Sequence, residues 1–387
     1  MVNYSKTTIY CKGSQYICIE MISEAKQVRI LVCPLDWGLG HATRCIPIIR
    51  ELQTAGAKVV IAADGPQLKL LQTEFPELEW VRFPGYEVTY RKTGMSALKL
   101  LLDLPGLFFK VIQEHFRVKS LIKKLRIDAI ISDNRYGLWN RNITNVFLTH
   151  QLNIIAPPPF EFAEPLLRSV VRYFAGKFNL CWIPDVEGAD KLSGRLSHGY
   201  ITPSNIRYIG LLSRFDKINT IIPDKLYQIV AIVSGPEPQR GIFENKLLSQ
   251  LPVEGCNCLL IRGLPGDTGI TNVRSNLDIA DHLASDMLAG ILSTKPIVIS
   301  RSGYSTLMDI AYTGNKAILI PTPGQTEQEY LADSLEKKGY YFSCKQDSID
   351  LEKAIEFLEN TDIKPPNPAI PEYKTAIHEF LEQIKSR

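Results

Sequence analysis

The 387-residue sequence predicts an α/β protein built of two Rossmann-like, doubly wound halves. Three observations predict it. Short apolar runs of strand length alternate with helix-length segments from residue 28 onward, the pattern of a parallel sheet covered by helices. The alternation restarts near residue 228. In each series a glycine-containing loop follows a strand directly, where a tight strand-to-helix turn is needed.

In the first series, residues 28–33, 58–63, 78–83, 128–132 and 145–149 read as strands. A helix is expected over 42–55, and another over 96–125 with a break at Pro105-Gly106, since proline removes a helical donor. In the second series, strands are expected at 229–234, 258–262, 289–292, 297–300 and 317–321, and helices at 240–251, 304–313 and 325–338. Pro184, Gly188, Pro203, Gly210 and Pro223 mark a loop-like joint. The expected layout is therefore a first domain over 27–205, a second over 206–365, and a C-terminal helical segment, 366–387, packing back on the first domain. Residues 1–26 show no clear period. They are expected as a poorly ordered extension with Met21 as an alternative start, an extra edge strand being the other reading.

Composition narrows the function. Lysine plus arginine number 44 and aspartate plus glutamate 41, a net charge of +3, too mild to mark a nucleic-acid binder. Eight cysteines form no CxxC, and the single CxC at Cys256 and Cys258 has no histidine nearby. Neither a zinc site nor a disulfide scaffold is expected, and a reducing, cytoplasmic setting fits. No cofactor is expected, and no apolar run is long enough for a transmembrane helix.

Chemistry concentrates in the glycine loops. The first reads Asp36-Trp37-Gly38-Leu39-Gly40-His41-Ala42-Thr43-Arg44. Gly38 and Gly40 allow close backbone approach by a ligand, and His41 falls at a helix N-terminus, where the dipole disfavours its cation. A neutral histidine facing a cleft suits general-base work. The spacing is not GxGxxG, which sets dinucleotide binding aside. Asp133 ends the strand 128–132 and reaches His41 if the two strands are neighbours, a carboxylate behind an imidazole that fixes its tautomer. In the second half, Arg301-Ser302-Gly303 precedes a helix carrying Thr306 and Asp309. Free N–H groups and hydroxyls there form an anion site fit for a diphosphate, and Asp309 can accept from ribose hydroxyls. Gln328 and Glu329, at the start of the next helix, suit sugar hydroxyls. Ser234 and Arg240 follow another strand and can help to hold the diphosphate.

With Ser-Gly-x-x-Thr-x-x-Asp followed by Pro-x-Pro-Gly-x-x-x-Gln, and the Gly-x-Gly-His loop before them, the chain resembles the GT-B glycosyltransferases, and among them glycosyltransferase family 28. The resemblance spans about residues 28–345. It implies two Rossmann-like domains facing each other across a cleft, and inverting, metal-independent transfer of a hexosyl or N-acetylhexosaminyl group from a UDP-sugar. It implies His41 and Asp133 as the base pair, Ser302, Gly303 and Thr306 around the phosphates, Asp309 on the ribose and Gln328 on the sugar. Gly-Leu-Gly-His-x-x-Arg is shared with UDP-sugar hydrolases of similar fold, so that loop alone does not separate transfer to an acceptor from transfer to water. A non-catalytic nucleotide-sugar binder is the third reading.

Lys99, Lys110, Arg117, Lys119, Lys123, Lys124 and Arg126 interleave with apolar residues along 95–127, and Arg168, Arg172 and Lys177 do so along 166–178. Basic amphipathic helices suit an anionic membrane surface. The expected partners are thus a UDP-sugar, a lipid-linked acceptor and the inner membrane face, where the protein would sit peripherally.

Overall fold

The computed structural model describes residues 4–11, 14–21, 27–85, 97–200, 203–216, 218–264, 269–366 and 372–386. Strands β1 (Tyr4–Cys11) and β2 (Ser14–Met21) pair antiparallel, Tyr4 opposite Met21 and Cys11 opposite Ser14, and among the described residues they form a two-stranded sheet of their own. This corrects the expected extension without regular structure. Isoleucine and tyrosine occur in both segments and two threonines in the first, and that β-propensity outweighed the missing alternation.

The first large sheet comprises β3 (Arg29–Cys33), β4 (Lys58–Ala63), β5 (Glu79–Arg82), β6 (Ala129–Asp133), β7 (Thr144–Leu148), β8 (Leu180–Ile183) and β9 (Ile206–Tyr208). Its order is β5-β4-β3-β6-β7-β8-β9, all parallel. β3 and β6 are buried on both faces, so they read as unbroken apolar runs rather than alternating ones. Helices α1 (Leu39–Thr54), α2 (Gly65–Glu74), α3 (Ala97–Leu125) and α4 (Glu164–Ala175) connect them. α3 runs through Pro105 without the expected break. One lost hydrogen bond is tolerated within a helix of 29 residues. The sheet extends to Tyr208, past the boundary expected at residue 205.

The second sheet comprises β10 (Ile229–Ile232), β11 (Cys258–Ile261), β12 (Thr271–Arg274), β13 (Leu277–Ala280), β14 (Ile297–Ser300), β15 (Ala317–Leu319) and β16 (Phe342–Ser343), ordered β12-β13-β11-β10-β14-β15-β16. Only β12 runs antiparallel, at the edge. Helices α5 (Gln239–Leu248), α6 (Ser285–Ser293), α7 (Tyr304–Thr313), α8 (Thr326–Lys337) and α9 (Leu351–Asn360) cover it. The strand expected over 289–292 is the second turn of α6. Its short apolar run is buried on nearly every side, and periodicity cannot separate such a helix from a strand.

Both sheets reverse their strand order once, beside their first strand: between β3 and β6, and between β10 and β14. Open α/β sheets bind ligands outside the carboxyl ends at that reversal. The two halves meet there. α1 packs on α7, and one apolar cluster joins Ile46 and Ile49 of the first half to Leu307 and Ile310 of the second. The last helix, α10 (Tyr373–Lys385), lies against the first half. Phe380 packs edge-on to Trp182 at 5.6 Å, and Glu379 pairs with Arg207.

The segment between the sheets is pinned to α6. A Cβ on Gly290 would stand 1.8 Å from the carbonyl oxygen of Ile221. Gly290→Ala therefore forces backbone apart and should cost about 2–4 kcal/mol. Thermal unfolding checks this: the midpoint falls by several degrees, and an unchanged midpoint contradicts the close approach.

Candidate active site

The reversal in the first sheet assembles the proposed base. Gly38 caps α1 with φ +130°, a backbone that L side chains rarely adopt, and the turn sets His41 in the first turn of the helix. Cys33 pairs with Ser132, so Asp133 ends the neighbouring strand at the same height. His41 Nδ1 lies 2.9 Å from Asp133 Oδ2. A carboxylate only accepts, so the bond to Asp133 needs the proton on Nδ1 and leaves Nε2 as the basic nitrogen; Arg44 Nη2, which only donates, also lies 2.9 Å from Nδ1, and its hydrogen is taken up by Asp133 Oδ1 instead.

Asp133 is fully buried. Burial would raise its pKa, but Arg44 and His41 outweigh burial and hold the carboxyl below its usual range. Arg44, one turn beyond His41, donates its Nε to Asp133 Oδ1 at 2.8 Å, and its Nη2 also bonds that oxygen. His41 is pushed the other way. Burial first, then the Arg44 charge, lower its pKa against the pull of Asp133. The imidazole is therefore neutral and ready to accept a proton at neutral pH.

The second sheet places its loops opposite. Gly303 caps α7, whose first N–H groups have no side-chain cap. Such a terminus favours an anion. Ser305 Oγ donates to the Gly40 carbonyl at 2.7 Å, and a Cβ on Gly40 would meet that hydroxyl at 3.1 Å. The two glycine loops thus touch across the cleft. Ser302 Oγ donates to the Gln328 carbonyl, Gln328 Oε1 accepts from the Thr322 amide, and the Gln328 side-chain nitrogen lies beside Gly303. Thr306 lies in the first turn of α7, half-buried.

Other expected residues are engaged elsewhere. Asp309 is buried, and its carboxylate accepts from the Ser213 hydroxyl, the Arg214 amide and the Arg214 guanidinium. Burial raises its pKa despite Arg214. Arg240 is paired with Glu237 and Glu244, leaving little of its charge for a diphosphate. Glu329 is exposed and caps the Gly324 amide. Ser234 follows β10 in the loop before Gln239, half-buried.

Arg301 does not reach the cleft as expected. It is buried behind it, and its guanidinium donates to the carbonyls of Gln239, Ile320 and Pro321 and to Gln346 Oε1. It also lies over the Phe243 ring at 4.0 Å. No carboxylate is among its partners in the described residues, its Nε has no partner, and burial lowers its pKa to about 10. It ties neighbouring segments together and leaves a positive charge with no carboxylate counter-ion among the described residues, behind the start of α7. Among the described residues no group of three or more His, Cys, Asp or Glu side chains is placed to hold a metal ion.

Sequence reading named Arg44 only as the end of the glycine-loop motif, with no role, and missed His150 and Glu327. Arg44 Nη1 contacts His150 Nδ1 at 2.9 Å, and His150 Nε2 contacts Glu327 Oε1 at 2.8 Å. The i,i+3 spacing of His41 and Arg44 was the available signal, because it puts both on one helix face. His150 and Glu327 lie 177 residues apart, and only the closed cleft joins them.

The fold and its two facing loops match known proteins. The model of the glycosyltransferase family 28 C-terminal domain matches residues 271–386. A UDP-N-acetylglucosamine–N-acetylmuramyl-(pentapeptide) pyrophosphoryl-undecaprenol N-acetylglucosamine transferase from Trichormus variabilis is 36% identical over 351 residues, covering 88% of this chain and 91% of that one. Its counterpart from Caldicellulosiruptor saccharolyticus is 30% identical over 294 residues, 71% and 75% of the two chains. The crystal structure of the glycosyltransferase SnogD from Streptomyces nogalater superposes with a TM-score of 0.59 at 15% identity, over 93% of this chain and 100% of that one. The molecule is thus a glycosyltransferase of the GT-B fold. Within that class, the chain belongs to glycosyltransferase family 28.

Two predictions follow from the geometry. A base must be neutral to act, so kcat/KM falls on acidification as His41 binds a proton. Its lowered pKa puts that limb below the ordinary histidine value of about 6.5, and a limb above that value contradicts the placement. Arg301→Met should weaken UDP binding by about tenfold, or 1.4 kcal/mol, and spare uridine. Equal losses for both would make Arg301 a scaffold residue only.

Proposed function

We propose that this enzyme moves a hexosyl or N-acetylhexosaminyl group from a UDP-sugar to an acceptor hydroxyl, by single displacement with inversion and without a metal. The observation that carries the reading is the His41–Asp133 pair standing directly across the closed cleft from the N-terminus of α7. His41 Nε2 takes the acceptor proton as its oxygen attacks the anomeric carbon. The bond to the diphosphate breaks on the opposite face, and attack from behind inverts the centre. The α7 N–H groups and the Arg301 charge stabilise the departing diphosphate in place of a metal ion. Gln328, beside Gly303, is suited to donor sugar hydroxyls. Ribose hydroxyls would take the place of Ser213 and Arg214 on Asp309.

A lipid-linked acceptor is supported by the surface of the first half and by the undecaprenol-linked substrate that the relatives' names give. On α3 and α4, Phe109, Phe116, Leu166 and Tyr173 are each more than half exposed, as is Phe162 just before α4. Phe108 and Phe174 hold the two helices side by side, with ring centroids 6.4 Å apart. Lysines and arginines flank these side chains: Lys119 lies over Phe116 and Lys177 over Tyr173. Apolar side chains framed by cations suit insertion among anionic headgroups. Lys99 lies outside the described side chains. Among the described residues no helix is long and apolar enough to cross a membrane.

The test is UDP release from a panel of UDP-sugars, with and without a lipid extract. The reading predicts release only with lipid, and a His41→Ala enzyme slower by about 10²–10⁴-fold, the usual share of general-base assistance. Release that needs no lipid, and is lost with His41→Ala, would make the protein a hydrolase. For the surface, the protein should pellet with anionic vesicles at low salt and be freed by high salt, since such attraction is screened within about 10 Å at 0.1 M. No pelleting at low salt contradicts the membrane surface.

A further inference from the structure

The base pair continues into a chain of side chains that crosses the cleft. An arginine can only donate, so the 2.9 Å contact between Arg44 Nη1 and His150 Nδ1 makes His150 the acceptor. The His150 proton then sits on Nε2, which donates to Glu327 Oε1 at 2.8 Å. Glu327 Oε2 accepts from the Gln151 side chain at 2.6 Å. His150 also stacks on Tyr304, with rings 4.3 Å apart and within 1° of parallel. Every atom in this chain before Glu327 belongs to the first half. Glu327, at the start of α8, and Tyr304, at the start of α7, belong to the second.

We infer that Glu327, acting through His150 and Arg44, is a positioning residue that orients the Asp133–His41 base only when the two halves are closed. The inference rests on the reading of His41 as the base. Arg44 donates to Asp133 and to His150, and its Nη2 also stands 2.9 Å from His41 Nδ1, so its placement bears on both members of the base pair. His150 presents its Nδ1 lone pair to Arg44 because Glu327 fixes the proton on the other nitrogen. With the halves apart, His150 loses both Glu327 and the Tyr304 ring. Arg44 then loses a directed acceptor, and Asp133 loses a fixed donor. The base would thus be set only where the donor is enclosed and water excluded.

The experiment is a double-mutant cycle. Glu327→Ala is made in the native enzyme and in His41→Ala, with kcat, donor KM and UDP binding measured for each. The inference predicts a kcat about tenfold lower, about 1.4 kcal/mol of coupling, with donor KM and UDP binding within about twofold. In the His41→Ala background Glu327→Ala should cost nothing more, because the group it orients is gone. Glu327→Gln keeps an acceptor for His150 and should restore most of the turnover. His150→Phe keeps the stacking on Tyr304 but makes neither hydrogen bond. It should reproduce the loss in kcat alone, and it carries the test if Glu327→Ala does not fold. A raised donor KM with losses that multiply in the double variant would mean that Glu327 touches the donor, and overturns the inference. An unchanged kcat in both variants overturns it too. Full turnover in His41→Ala brings down the base reading itself and this inference with it.

Discussion

A buried carboxylate sets the terms for this active site. Asp133 lies at the carboxyl end of β6 with no exposure to water. An isolated charge there would cost several kcal/mol, so its partners are not optional. Arg44 and His41 satisfy it, and both sit in the first two turns of α1. That helix begins where it does because Gly38 takes a backbone closed to other residues. The parallel pairing of β3 with β6 then brings a residue near position 40 beside one at position 133. Sheet order, turn glycine and buried charge thus fix the imidazole together.

The second half presents the opposite electrostatic case. Arg301 is also buried, yet among the described residues its guanidinium meets carbonyl oxygens, one side-chain amide oxygen and the Phe243 ring rather than a carboxylate. The first half therefore holds a neutralised anion beneath the proposed base. The second holds an uncompensated cation beneath a helix N-terminus. An anionic leaving group bound between them would complete the charge balance of the cleft. Arg240 cannot take this part, because Glu237 and Glu244 already surround it.

Much of this was legible from the chain. The alternation of strands and helices, both glycine loops and the His41–Asp133 pairing follow from local sequence and from the rule that parallel strands aim their carboxyl ends at a crevice. What local sequence could not show was occupancy. Asp309 falls where a ribose-binding acid is expected, but its carboxylate meets Ser213 and Arg214 of the segment between the sheets. The same holds for Arg301, whose place beside Ser302 suggested the cleft while its side chain turned inward. Residues 289–292 failed for another reason: a short apolar run carries no period when all sides are buried. Glu327 and His150 were hidden because their meeting depends on how the halves close.

The central claim is that Asp133 fixes His41 as a neutral imidazole with its proton on Nδ1. Nitrogen-15 NMR of histidine-labelled enzyme, with His41→Ala for assignment, reads this directly. The account predicts a neutral Nδ1–H tautomer for His41 at pH 7, with Nε2 showing the shift of an unprotonated ring nitrogen. An Nε2–H tautomer, or a doubly protonated ring at pH 7, would contradict it.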